Sequence, residues 1–185
     1  MIELKNVNFS YGKKQIFKNF NFTITDSDRI CLFAPSGYGK TTLLRLIMGL
    51  EKTFSGKIIG THNKNFSVVF QEDRLLPDKT VLENILLFGD DSKAVLILES
   101  LGLKDAVNLY PDELSGGMAR RVAIARALNR NSDIYIFDEP FNGIDKENLE
   151  KTAKVINEFT KDKIFIAVSH NQTEAELLNT KIVKF

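Results

Sequence analysis

The segment Ala34-Pro35-Ser36-Gly37-Tyr38-Gly39-Lys40-Thr41 places two glycines, a lysine and a hydroxyl residue at the spacing G-x-x-x-x-G-K-[ST], with Ala34 in the first glycine position. Gly37 and Gly39 permit positive φ and close backbone approach, so successive N–H groups can converge on phosphate oxygens. A helix beginning at Lys40 would add the partial positive charge of its N-terminus. Lys40 supplies a full charge to β- and γ-phosphates and Thr41 a hydroxyl ligand for Mg²⁺, while Ser36, Tyr38 and Thr42 complete the loop's contacts with ATP. Ala34 strains nothing provided its φ is negative. The ordinary alternative is a glycine-rich turn with a surface lysine, and it leaves the apolar run before the loop and the amphipathic pattern after it unexplained.

A second segment, acidic where the first is basic, has the complementary chemistry. Ile134-Tyr135-Ile136-Phe137 ends in Asp138-Glu139, an apolar strand delivering two carboxylates to the edge of a sheet, where ligands of parallel sheets bind. Asp138 is placed to hold Mg²⁺ or its water, and Glu139 to polarise the water that attacks a γ-phosphate. Alone, the Asp-Glu pair could equally be a solvated turn; downstream of a phosphate loop it reads as the other half of a site.

The elements that must position these residues follow from apolar periodicity. Ile2/Leu4 with Val7/Phe9, and Phe20/Phe22/Ile24, predict two strands joined at Tyr11-Gly12-Lys13-Lys14. Ile30–Phe33 reads as a strand buried on both faces, followed by a helix from Lys40 that Gly49 stops. Strands are expected over Lys57–Gly60 and Phe66–Phe70, joined by the short polar link Thr61–Asn65. From Pro77 to Pro111 the spacing turns helical, as in Val81/Ile85 and Val95/Leu98 with Leu101. A helix from about Ser115 to Leu128, the strand at 134–137, a helix from Lys146 to Thr160, a strand Ile164–Val168 and a terminal helix and strand complete the chain. This alternation predicts an α/β fold with a mostly parallel sheet, an N-terminal antiparallel β layer and a helical insert. The 185 residues suit a single domain, with a nucleotide-binding core over 1–75 and 131–185 and a helical subdomain over about 76–130.

Composition narrows the function classes. Twenty-five Lys+Arg against 24 Asp+Glu leave a formal charge of +1, which argues against nucleic acid as a partner. No apolar run approaches the ~18 residues of a bilayer span, and Met1-Ile2-Glu3-Leu4-Lys5 lacks the start of a signal peptide, so a cytoplasmic protein is expected. The single cysteine, Cys31, sits among Ile30, Leu32 and Phe33 and reads as a small buried hydrophobe.

Leu114-Ser115-Gly116-Gly117-Met118 resembles the signature motif of ATP-binding cassette (ABC) proteins, and with the phosphate loop the resemblance covers most of the chain. It implies a P-loop NTPase of ABC type. By that resemblance, Ser115, Gly116 and Gly117 of one subunit face the γ-phosphate bound by the phosphate loop of a second, a task that small residues at a helix N-terminus suit. Ser115 would also serve as that helix's cap. The family pattern has Gln where this chain has Met118, which removes one polar contact and leaves the backbone anion site.

Further positions match the family singly. Tyr11 in Phe9-Ser10-Tyr11-Gly12 resembles the aromatic residue that stacks on adenine. Gln71 in Val69-Phe70-Gln71-Glu72-Asp73 resembles the loop glutamine that reaches Mg²⁺ and water and relays nucleotide state to a membrane partner. Asp145 resembles the acidic end of the loop that crosses between subunits, and locally it could equally cap the following helix. His170 resembles the switch histidine that contacts the γ-phosphate and holds Glu139 in register, whereas His62 has no such context. The resemblance therefore implies catalytic roles for Glu139, His170, Lys40 and Gln71, and Mg²⁺ held by Thr41, Gln71 and Asp138.

The segments 70–77 and 137–141 look most like ATPase subunits of bacterial importers for small organic or inorganic anions and related nutrients, of nitrate, sulfonate or taurine type. The resemblance implies an ATP-driven homodimer at the cytoplasmic face of the membrane, with integral permease subunits and an extracytoplasmic solute-binding protein as partners. The chain reads as a short form without a C-terminal regulatory domain. Two alternatives stand beside it: a soluble cassette ATPase outside transport, and a weakly hydrolysing nucleotide-binding partner in a heterodimer, the latter because Ala34 and Met118 depart from the family pattern.

Overall fold

The computed structural model describes residues 1–35, 37–53 and 55–184. Two sheets share the chain. Strands β1 (Ile2–Tyr11), β2 (Lys14–Ile24) and β4 (Ser55–Ile59) form an antiparallel sheet in the order β2-β1-β4. Strands β5 (Phe66–Val69), β6 (Ile134–Asp138), β7 (Ile164–Val168), β3 (Arg29–Phe33) and β8 (Lys181–Lys184) form a parallel sheet in that spatial order. The strands predicted on either side of the 61–65 link thus belong to different sheets, and the link carries the chain from one layer to the other.

Among the described residues six α-helices accompany the sheets: α1 (Lys40–Ile47), α2 (Val81–Leu86), α3 (Asp91–Ser100), α4 (Gly116–Asn129), α5 (Lys146–Phe159) and α6 (Gln172–Leu177). Five start with a hydrogen-bonding cap. Thr80, Asp90, Ser115, Asp145 and Asn171 each accept a backbone N–H of the helix they open, and Thr80 forms a capping box with Glu83.

Both side-chain parities of the central strands are apolar because both faces of the parallel sheet are covered. Ile30, Leu32, Ile134, Ile136, Ile164 and Ile166 pack with α1 residues Leu43, Leu44, Leu46 and Ile47 and with the antiparallel sheet. On the other face, Cys31, Tyr135, Phe137, Phe165 and Ala167 pack with residues of α4, α5 and the inserted helices α2 and α3.

Two differences from the periodicity have local causes. Buried positions in β1 fall at 2, 4, 7 and 9, a change of parity inside one strand. Asn6 and, across the pair, Asn19 take positive φ at bulges that restore the apolar side chains to one face. In α3 the buried face is Ala94, Ile97 and Leu98, continuing to Leu101, while Val95, expected on that face, is exposed.

Candidate functional site

Four adjacent parallel strands end at one edge, and each delivers part of the site there. The phosphate loop follows β3, Ser169 and His170 follow β7, Asp138 ends β6 with Glu139 directly after it, and Phe70 and Gln71 follow β5. This is the C-terminal edge, where a parallel sheet opens to ligands. The antiparallel layer contributes the opposite wall through Tyr11, Lys14 and Ile16. The resulting cleft of about 400 Å³ is lined by these three with Gly37, Gly39, Lys40, Thr41, Thr42, Gln71, Asp138, Glu139, Val168 and His170.

The loop geometry is that of an anion cradle. Gly37 and Gly39 take φ of 85° and 92°, and Ala34 is not among the described residues at positive φ, so alanine is unstrained there. Gly39 opens α1 without any side-chain cap, in contrast to the other five helices. Among the described residues no side chain caps the first-turn N–H groups of α1, which face the cleft at the positive end of the helix. Lys40 is buried, and its Nζ donates to the carbonyl oxygens of Ala34 at 2.5 Å and Pro35 at 3.2 Å.

Opposite the loop, His170 Nε2 lies 3.1 Å from Glu139 Oε1. Glu139 has φ of 49°, a left-handed conformation that is uncommon for a non-glycine residue. Its N–H donates to the Val168 carbonyl at 2.9 Å, tying the β6 and β7 ends together. Burial, and then the neighbouring Glu139 carboxylate, push the Asp138 carboxyl above its usual range, against the pull of Arg120, Lys40 and His170. A divalent cation beside Asp138 would offset both effects. Among the described residues no group of three or more His, Cys, Asp or Glu could hold a metal by itself. One carboxylate, one hydroxyl and one amide, completed by phosphate oxygens and water, is instead a donor set that fits Mg²⁺.

Of the expected residues, the cleft gathers Tyr11, Gly37, Gly39, Lys40, Thr41, Thr42, Gln71, Asp138, Glu139 and His170. Tyr38 is exposed and does not line it, and Ser36 lies outside the described residues. Ser115, Gly116, Gly117 and Asp145 are also away from this cleft. Ser115 caps α4 by accepting the Met118 N–H at 3.2 Å, and Asp145 caps α5 by accepting the Asn148 N–H at 3.0 Å. Gly116 has open space where a Cβ would sit, whereas a Cβ on Gly117 would meet the Gly143 carbonyl at 2.7 Å. The second glycine therefore serves close packing against the loop before α5.

A family model described as ABC transporter matches residues 17–142. The chain belongs to the ABC transporter family. It is 35% identical to the glutamine transport ATP-binding protein GlnQ of Geobacillus stearothermophilus, over 99% of this chain and 86% of that protein. It is 33% identical to the aliphatic sulfonates import ATP-binding protein SsuB 1 of Shouchella clausii, over 98% of this chain and 75% of that one. Among solved structures it matches the dimeric post-hydrolysis state of the cassette MJ0796 bound to ADP and Pi, with a TM-score of 0.86 and 29% identity over 100% of this chain and 94% of that one. The chain is an ATPase cassette of the ABC type, with curated relatives among ATP-binding proteins of glutamine transport and of aliphatic sulfonates import.

Sequence reading missed several residues of this ABC site. Lys14 faces Tyr11 across the hairpin register, the first strand residue after the Gly12-Lys13 turn. Ile16 and Val168 are apolar strand residues with no separate signal. Arg120 and Arg121, adjacent charges in a helix, carry no local signal of a site, yet both are buried.

Proposed function

We propose that this chain is the ATP-hydrolysing subunit of an importer for a small solute, acting as an ATP-dependent dimer. Each composite site would combine one chain's phosphate loop with Ser115–Gly117 of another. The observation that carries this reading is the split of the motif residues. Lys40, Thr41, Gln71, Asp138, Glu139 and His170 share one cleft, while Ser115 and Gly116 are exposed on a different part of the same chain. A second copy completes the set with the N-terminus of its α4, opposite the α1 N-terminus that the cleft already holds.

The chemistry follows from the groups present. Lys40 and the α1 N-terminus bind the phosphates of ATP, with Tyr11 placed to stack on the base. Mg²⁺ would be held by Thr41, Gln71 and Asp138 and would neutralise charge on the β- and γ-phosphates. Glu139 accepts a proton from the attacking water as its oxygen bonds to the γ-phosphorus and the bridging P–O bond breaks, releasing ADP and phosphate. His170 holds the Glu139 carboxylate through their 3.1 Å contact. Loss of the γ-phosphate removes what draws Ser115–Gly117 inward, so the dimer opens.

Among the described residues no helix is long and apolar enough to cross a membrane. Integral permease subunits would receive the motion at the cytoplasmic face, and an extracytoplasmic solute-binding protein would deliver the cargo. The sulfonate relative supports import, and the 70–77 and 137–141 segments favour small organic or inorganic anions and related nutrients, of nitrate, sulfonate or taurine type. Glu139→Gln tests the composite site: nucleotide binding should persist, turnover should stop, and light scattering should detect a dimer with Mg-ATP. A variant that stays monomeric at saturating Mg-ATP would refute this reading.

A further inference from the structure

Arg120 is 2% exposed, and its guanidinium makes six contacts to two loops of the site. Nε donates to the Pro140 carbonyl at 3.1 Å, and Nη2 to the Asp138 and Glu139 carbonyls at 2.6 and 2.5 Å. Nη1 donates to the Phe70 carbonyl at 2.5 Å, to the Gln71 carbonyl at 3.4 Å and to Asp73 Oδ1 at 3.0 Å. One side chain thus ties the turn after β6 and the turn after β5 to α4, the helix on which it stands.

Two features make this more than packing. First, the clamp closes on Glu139, whose left-handed backbone is strained for a non-glycine residue and persists only where surrounding bonds over-determine it. Besides Arg120, those bonds are the Glu139 N–H to Val168 and the Asn142 N–H to the Glu139 carbonyl. Second, Arg120 sits one helical turn from Gly116, on the rigid helix whose first residues would meet a partner's nucleotide. The fork of an arginine suits this position, since its planar donors reach carbonyls on both sides at once, which a lysine ammonium does not.

We propose that Arg120 is a positioning residue for hydrolysis. It joins the Gln71 turn, the Asp138–Pro140 turn and α4 into one body. Seating of Ser115–Gly117 on the partner's nucleotide thereby sets the place of Gln71 and Glu139 in this chain's own cleft. The two composite sites are tied through Arg120. This rests on the dimeric reading above.

The test compares the wild type with Arg120→Lys and Arg120→Gln. The first keeps the charge beside Asp73, and the second removes the buried charge and keeps an amide donor. Rates are taken per mole of nucleotide-binding-competent protein, so a partly unfolded preparation does not distort them. Displacing a catalytic group by about 1 Å can cost on the order of 10²-fold, and kcat should fall by about that factor in both variants. The ATP Kd should stay within about threefold, and the cooperative dependence of rate on ATP should be lost. A kcat close to that of the wild type in either variant, or an affinity loss matching the loss of rate, overturns the proposal. A wild-type chain that stays monomeric and non-cooperative with ATP overturns the dimeric reading and this proposal together. A cooperative wild type with unaltered variants overturns only the part assigned to Arg120.

Discussion

Replacing Gly39 by alanine separates backbone strain from steric overlap, because Gly37 in the same loop supplies the control. Both glycines sit at positive φ, 92° and 85°. A Cβ on Gly37 meets nothing within 4 Å, so Gly37→Ala bears only the left-handed backbone cost of about 1–2 kcal/mol. A Cβ on Gly39 would lie 2.8 Å from Ile16 Cγ2 and 3.1 Å from Phe17 Cζ. Phe17 is buried in the core below the antiparallel sheet and packs on Phe20 with ring centroids 4.7 Å apart, so its ring has little room to retreat. Overpacking of this kind adds about 1–3 kcal/mol, for a total near 2–5 kcal/mol. With a urea m-value of about 2–3 kcal/mol/M, the unfolding midpoint should drop by about 1–2 M for Gly39→Ala and by about half a molar for Gly37→Ala. Urea titrations followed by far-ultraviolet circular dichroism, without nucleotide, measure both. Equal destabilisation by the two variants would refute the steric argument and leave backbone strain as the whole effect.

Two further outcomes are expected. Asp138→Asn should stabilise the nucleotide-free protein, because burial and Glu139 penalise the charged carboxylate in the folded state. Its raised folded pKa means the gain is absent below the ordinary carboxylate value and grows as pH rises through the folded one, so a gain that shrank with rising pH would refute it. Cys31 is buried and its thiol is pushed up to about 11 from 9.0, chiefly by burial. At neutral pH that leaves roughly 100-fold less thiolate than in the unfolded chain, and labelling by a thiol reagent should be slower in the native protein by at least that factor.

Much of the site was legible because its chemistry demands residue types at short range. A loop that wraps phosphate needs glycines two apart and a lysine directly after them, and all three lie within one turn of chain. The caps Ser115 and Asp145 were legible for the same reason, since a cap acts within three residues. Val95 was misplaced because a short helix leaves its apolar stripe ambiguous by one position. The bulges at Asn6 and Asn19 left a parity change in β1, while their positive φ depended on the paired strand.

Arg120 marks where local reading stops. In isolation, Arg120-Arg121 on a helix denotes solvent exposure, because a buried guanidinium needs acceptors that no neighbouring residue of the helix can provide. Its acceptors are carbonyls at 70, 71 and 138–140, brought together only because β5 and β6 are adjacent in the parallel sheet. The amino-acid sequence by itself determined the ATP chemistry, the family and the alternation of strands and helices, all of which rest on short-range spacing and period. Tertiary structure alone decided the strand order β5-β6-β7-β3-β8, and with it which loop ends share the cleft, that Tyr38 stays outside, and that Arg120 clamps two of them. Those are contacts between residues far apart in the chain, selected by burial of two apolar faces over the whole sheet rather than by any local pattern.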